Sequence, residues 1–194
     1  MQEKNEILPE IIVFAGPNGS GKTTVTSLAK VIAPYINADD IKKATLCSDM
    51  EAAVNAEKLR EDALEKRISF TFETVLSTNR NLELLKRAKD NGYFIRCIYV
   101  LTSNPDINIL RVEAREAGGG HGVPKEKIKE RYEKCLKLLP EIEKVCDIMH
   151  VYDNTVTPFR IYKKRKEEHF IWENEFWGRE KIENLLGISK KVRG

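Results

Sequence analysis

Nine residues near the start of the chain, Gly16-Pro17-Asn18-Gly19-Ser20-Gly21-Lys22-Thr23-Thr24, have the residue types and spacing of a phosphate-binding loop. From Gly16 to Thr23 they fit the pattern G-x-x-x-x-G-K-[ST]. Gly16, Gly19 and Gly21 allow backbone angles that a side chain forbids, so the main chain can close on an anion. The N–H groups of the loop and the positive end of a following helix then face the phosphates. Lys22 can reach the β- and γ-phosphates, and the hydroxyl of Thr23 can ligate Mg²⁺. The chemistry on offer is capture of ATP, with all nine residues as contacts.

Further candidates lie where strands end. Tyr35-Ile36-Asn37-Ala38-Asp39-Asp40-Ile41 reads as a second strand with two acids at its carboxyl end. In open α/β sheets ligands sit outside the carboxyl ends of strands, so one acid can face the γ-phosphate while the other caps the next helix. Glu73 ends the strand 68–76 on the same side. It can hold Mg²⁺ through water or hydrogen-bond an acceptor hydroxyl. Arg111 and Arg115 are four apart on a helix over 105–117, which puts both on one face. Arg131 lies on the next helix, 125–139. Between them runs Gly118-Gly119-Gly120-His121-Gly122-Val123-Pro124, either a hinge for closure or only a tight turn. Arginines on such a lid can neutralise the charge of a transferring phosphoryl group. His121 is equally a loop residue and a substrate contact.

These groups need a scaffold. The apolar run Ile11-Ile12-Val13-Phe14-Ala15 predicts a buried first strand leading into the loop. A helix over 22–33 is ended by Pro34. Helices over 49–66 and 81–91, the second closed by Gly92, flank the strand 68–76. A fourth strand over 93–101 ends without an acid, unlike the magnesium-binding strand of P-loop ATPases. A fifth, 147–152, ends in Asp153-Asn154. A hairpin over Phe159–Tyr162 and Phe170–Trp172, a short helix over 181–186 and a frayed tail over 189–194 complete the chain. Strands alternating with helices predict a three-layer α/β P-loop NTPase fold, with a mostly parallel five-stranded sheet and a helical lid. One domain is expected over 1–194, with the lid at about 105–139 and the C-terminal hairpin and helix at about 158–188.

Bulk properties narrow the class. The chain has 194 residues, 41% hydrophobic and 32% charged, with a net charge of +3. That balance suits a globular protein and makes nucleic acid an unfavoured partner. No apolar run is long enough for a membrane span, and the polar start is not a secretory signal. Four cysteines without C-x-x-C spacing suggest reduced thiols in the cytoplasm.

Taken in order, the P-loop, Asn37-Ala38-Asp39-Asp40, Phe72-Glu73-Thr74 and the arginine-bearing Gly119-Gly120-His121-Gly122-Val123-Pro124 region resemble the zeta-toxin family of P-loop kinases, over roughly 11–154. The resemblance implies an ATP- and Mg²⁺-dependent kinase. The best-known members phosphorylate the 3′-hydroxyl of the amino sugar in UDP-N-acetylglucosamine and are held inactive by a small helical antitoxin. By motif, Asp39 matches the catalytic base, Glu73 the sugar-binding acid and Arg115 the first lid arginine. Two departures stand out. The second lid arginine is replaced by Gly120-His121-Gly122, leaving Arg111 or Arg131 to supply its charge. The acceptor segment Thr74-Val75-Leu76-Ser77 lacks the family's arginine.

The expected catalytic set is therefore Lys22, Asp39, Arg115 and Arg111. Substrate contacts are expected at Asp39, Glu73, Thr74, His121 and Arg131, and the metal at Thr23. The acceptor is a small-molecule hydroxyl, with a nucleotide sugar as the implied example and an antitoxin as the implied protein partner. The chain starts almost at strand one, so no fused antitoxin is expected before it. Other readings are a nucleic-acid end kinase, an ABC-type ATPase and a nucleotide-dependent binding module. The ATPase reading lacks a Leu-Ser-Gly-Gly-Gln signature.

Overall fold

The computed structural model describes residues 8–120 and 122–188. His121, the polar start and the tail expected to fray lie outside the described residues. The elements in chain order are β1 (Glu10–Ala15), α1 (Lys22–Thr26), β2 (Tyr35–Ile36), α2 (Ala38–Thr45), α3 (Asp49–Glu65), β3 (Phe70–Thr74), α4 (Asn79–Asp90), β4 (Phe94–Leu101), α5 (Pro105–Ala117), α6 (Lys125–Val145), β5 (Ile148–Asp153), β6 (Phe159–Arg165), β7 (Glu168–Ile171) and α7 (Arg179–Leu186).

The strands form one sheet in the order β2-β3-β1-β4-β5-β6-β7. The first five are parallel, as expected. The sheet has seven strands instead of five because the C-terminal hairpin joins it antiparallel, from Ile148↔Arg165 to Asp153↔Phe159. Pairing with β6 satisfies backbone groups that β5 would otherwise present as an open edge.

β1, apolar and buried from Ile11 to Ala15, is central, with β3 on one side and β4 on the other. Ala15 stands opposite both Thr74 and Tyr99, so the loop that follows emerges between two strand ends. Side chains alternate between faces. Ile11, Val13 and Ala15 join Phe70, Phe72, Ile95, Cys97, Tyr99 and Met149 in a large core that also takes in residues of α3, α4, α6 and α7. Ile12 and Phe14 point the other way, to a small cluster with Ile98, Val100 and Val25 of α1. The third layer is thus thin, built from α1 and the segment after it.

Three elements differ from the sequence reading. The helix expected over 22–33 stops at Thr26. Its β-branched residues favour helix poorly, and the amide of Ile32 instead donates to Thr71 Oγ1 at 2.8 Å, tying the segment to β3. The second strand is only Tyr35–Ile36. Asn37 caps α2 by accepting from the Asp39 amide at 2.9 Å, so Asp39 and Asp40 sit in the first helical turn and neither is the cap. Helix α6 runs past Leu139 and Pro140 to Val145, because the buried Ile142 and Glu143 hold the last turns to the core.

Candidate active site

Each glycine of the loop is fixed by what stands against it. Gly16 has φ 143° and a Cβ there would lie 2.0 Å from the carbonyl oxygen of Val100. Gly19 has φ 76° and its Cβ would lie 2.4 Å from the Asn108 carbonyl oxygen. At Gly21, φ 89°, the obstacle is the Asn154 amide nitrogen at 2.1 Å. Position and dihedral angle both demand glycine. Two asparagines brace the loop between them. Asn108 of α5 donates to the carbonyl of Asn18 at 2.8 Å, and Asn154, just past β5, donates to that of Ser20 at 2.8 Å.

Lys22 opens α1 and is buried. Its ammonium donates to the carbonyls of Gly16 at 2.9 Å and Pro17 at 3.1 Å. Burial pushes its pKa down, and Arg115 adds to that. Glu73 opposes it most strongly, followed by Cys135 and Asp39. Glu73, Asp39 and Arg115 therefore share the electrostatic surroundings of one lysine, although they come from β3, α2 and α5.

Glu73 is half-buried and accepts from the hydroxyl of Tyr35 at 3.0 Å. Burial first, and the Glu73 charge next, push the Tyr35 phenol well above its ordinary value and keep it a proton donor. Asp39 is exposed at the α2 N-terminus. Thr74 is committed to its own turn, with its hydroxyl accepting from Asn81 Nδ2 at 2.8 Å and from the Leu76 amide at 3.2 Å.

The arginines divide. Arg115, at the end of α5, is exposed and reaches Lys22 electrostatically. Arg111 turns instead to the end of β5, where it donates to the Thr155 carbonyl at 3.0 Å. Arg131 of α6 donates to Asn18 Oδ1 at 3.1 Å, so α6 touches the loop directly. The glycine run begins as a tight turn, with Gly119 at φ 84° and the Gly120 amide returning to the Arg115 carbonyl at 2.9 Å. Asp153 is buried and structural, accepting from the Thr155 amide at 3.1 Å and from Asn174 Nδ2 at 2.8 Å.

Thr23 and Thr24 are exposed on the first turn of α1. The hydroxyl of Ser20 is buried with no hydrogen-bond partner. Among the described residues no group of three His, Cys, Asp or Glu could hold a metal. Sequence reasoning missed Asn108, Asn154, Tyr35 and Cys135. Only Asn108 carried a signal, as an asparagine inside a helix needs a reason.

Comparison with known proteins places this geometry in context. The Zeta toxin family model matches residues 32–175, a span that begins after the loop. An uncharacterized protein of Haemophilus influenzae is 32% identical over 127 residues, covering 62% of this chain and 91% of that protein. A structure from the PezAT chromosomal toxin–antitoxin system of Streptococcus pneumoniae superposes with a TM-score of 0.58 at 16% identity, over 82% of this chain and 73% of the other. The AvrRxo1-ORF1:-ORF2 complex with ATP gives 0.70 at 14% identity, over 99% and 68%. These likenesses are to the fold. Among the described residues no helix is long and apolar enough to cross a membrane.

Proposed function

Because the chain belongs to the zeta toxin family, we propose that it is an ATP- and Mg²⁺-dependent phosphotransferase acting on a hydroxyl of a small molecule. The observation that carries this reading is the glycine loop with its buried Lys22, whose charge feels Glu73, Asp39 and Arg115. A base, a polar contact for an acceptor and a cation for the transition state are the groups that phosphoryl transfer asks for.

The loop suits the phosphates of ATP. Its glycines leave space that a Cβ would fill, and the buried Ser20 hydroxyl lacks a partner that a phosphate oxygen can provide. Lys22 rests on two loop carbonyls and can exchange them for β- and γ-phosphate oxygens. The chain offers Mg²⁺ the exposed Thr23 hydroxyl, which fits an ion held mainly by phosphate and water. When bound, Mg²⁺ would neutralise phosphate charge.

In the proposed reaction Asp39 takes the proton of the acceptor hydroxyl. That oxygen forms its bond to the γ-phosphorus as the bond to the β–γ bridging oxygen breaks, and ADP leaves. Glu73, fixed by Tyr35, holds the acceptor. Arg115 stabilises charge on the γ-phosphoryl oxygens, and Arg131 fixes the loop through Asn18. Arg111 supports the β5 end of the site.

UDP-N-acetylglucosamine is the first acceptor to test, with γ-labelled ATP, Mg²⁺ and an Asp39→Asn control. A small-metabolite extract is the second. Label on any small-molecule hydroxyl, absent in the control, supports the reading. Release of free phosphate alone would overturn it. The similarity to a chain of a toxin–antitoxin system supports an antitoxin as the protein partner. Overexpression that leaves bacterial growth unchanged would remove that part.

A further inference from the structure

On the thin face of the sheet, Tyr152 is the one described residue of β5, β6 and β7 packed against the small cluster beneath α1. Alternation along β5 turns His150 and Tyr152 to this face. The irregularity between Val151 and Tyr152 lets Arg160 stand opposite Tyr152 while Lys163 stands opposite His150, so these two cations share the face although they are three apart. On β7, Phe170 is paired with Lys163, and Trp172 follows two residues on.

The result is a row of cations between two rows of rings. The His150 and Tyr152 rings stack with centroids 6.4 Å apart, and those of Phe170 and Trp172 at 6.2 Å. Arg160 lies over the Trp172 ring at 4.6 Å and Lys163 over Phe170 at 5.6 Å. Arg160 also approaches His150 Nδ1 at 3.5 Å. Phe170 is 41% exposed and Trp172 36%. Among the described residues, no carboxylate forms an ion pair with Arg160 or Lys163. Arg165 continues the row opposite Glu168, and Arg96 at the inner border is paired with Glu10 at 2.8 Å.

We propose that this face binds single-stranded nucleic acid, with bases stacking on the ring rows and phosphates meeting Arg160, Lys163 and Arg165. Exposed planar rings, here Phe170 and Trp172, beside cations that form no ion pair are the combination by which single strands are held. A second copy of the chain is the poorer occupant. A twofold self-contact would press Arg160 and Lys163 against their own equivalents. The net charge of +3, which disfavours nucleic acid for the molecule as a whole, does not describe this face.

The test is fluorescence anisotropy of labelled twelve-nucleotide oligo-U and oligo-dT with the full chain, without ATP, so that its outcome is independent of the phosphotransferase reading. Expected is saturable binding that weakens as salt rises. Two double variants, Lys163→Glu with Arg165→Glu and Phe170→Ala with Trp172→Ala, should each weaken it by about tenfold or more. Lys58→Glu, on the far helical layer, should not. Circular dichroism identifies any variant that fails to fold, in which case Phe170→Ala alone replaces it. Absence of binding, or binding indifferent to these variants, overturns the proposal. So does loss under the charge variants but not the ring variants, which would make the face a general polyanion surface. A concentration-dependent dimer abolished by Trp172→Ala would assign the face to a second copy instead.

Discussion

Asn108 of α5 donates its side-chain amide to the carbonyl of Asn18 at 2.8 Å, joining a lid helix to the phosphate-binding loop across 90 positions of sequence. Asn108 is fully buried and accepts in turn from Thr102 Oγ1 at 2.5 Å. Asn108→Ala removes both bonds, although the Thr102 hydroxyl keeps the Asn104 carbonyl at 3.1 Å, and should cost about 1–3 kcal/mol of stability. A weaker ATP affinity should accompany it. Chemical denaturation and a nucleotide titration read the two effects separately, and an unchanged affinity would show that the brace is structural only.

Gly19 and Gly92 have nearly equal φ, 76° and 78°, but opposite surroundings. A Cβ at Gly92 meets nothing within 4 Å, whereas at Gly19 it meets the Asn108 backbone. Gly92→Ala should cost about 1 kcal/mol from the left-handed angle alone. Gly19→Ala should cost several-fold more and abolish ATP binding. Equal melting temperatures for the two variants would contradict the close packing of the loop.

Asp39 and Lys22 should separate turnover from binding. Asp39→Asn keeps the shape of an exposed side chain but removes the base, so transfer should fall by about 10²–10⁴ while ATP affinity changes little. Lys22→Ala should weaken both. Isothermal titration beside the transfer assay distinguishes these patterns, and full turnover by Asp39→Asn would end the base assignment.

Glu143 fastens the hairpin to α6. It is buried, accepts from Tyr162 at 2.9 Å and lies 3.4 Å from the equally buried Lys164 ammonium, which also donates to the Glu143 carbonyl at 2.7 Å. Glu143→Ala strands Lys164 and should destabilise the fold by about 3–5 kcal/mol. Glu143→Leu with Lys164→Met should recover much of the loss, because an apolar pair needs no desolvation. Urea melts of the single and double variants give the comparison.

His150 predicts an acid sensitivity. Burial, followed by Arg160, Lys163 and Arg96, pushes its pKa from an ordinary 6.5 down to about 4. The unfolded chain then binds more protons between those values, so stability falls as pH drops from 6.5 through 4. The shift sets an upper bound of roughly 3 kcal/mol, and partial exposure screens it to about half. His150→Phe should flatten the stability profile in that window. An equal slope in the variant would place the sensitivity elsewhere.

The sequence displayed the phosphate loop because its glycines, lysine and threonines are contiguous and its strand is uniformly apolar. It displayed the parallel strands for the same local reason. The partners of the two asparagine braces were not legible, since Asn108 and Asn154 act on carbonyls 90 and 134 positions away. Asp39 was misplaced on a strand because the capping role of Asn37 depends on where the backbone bends after only two strand residues. The shared face of Arg111 and Arg115 was also misleading. Four-residue spacing aligns two side chains on a helix, but Arg111 found the Thr155 carbonyl while Arg115 stayed exposed at the end of α5. The joining of the hairpin to the sheet depended on which edge was left open, a property of the assembled strands.

The position of β1 between β3 and β4 also bears on the order in which the molecule can become competent. During synthesis the glycine loop emerges well before its walls, which are made of Val100, Asn108 and Asn154. Until those residues have docked, the loop has nothing to hold its left-handed turns, and a nascent chain has no use for nucleotide. ATP should therefore bind only chains whose sheet has closed through β5, and should slow their unfolding by favouring that closed population. Nucleotide affinity would then act as a report on folding through β5, with the loop waiting on residues made long after it.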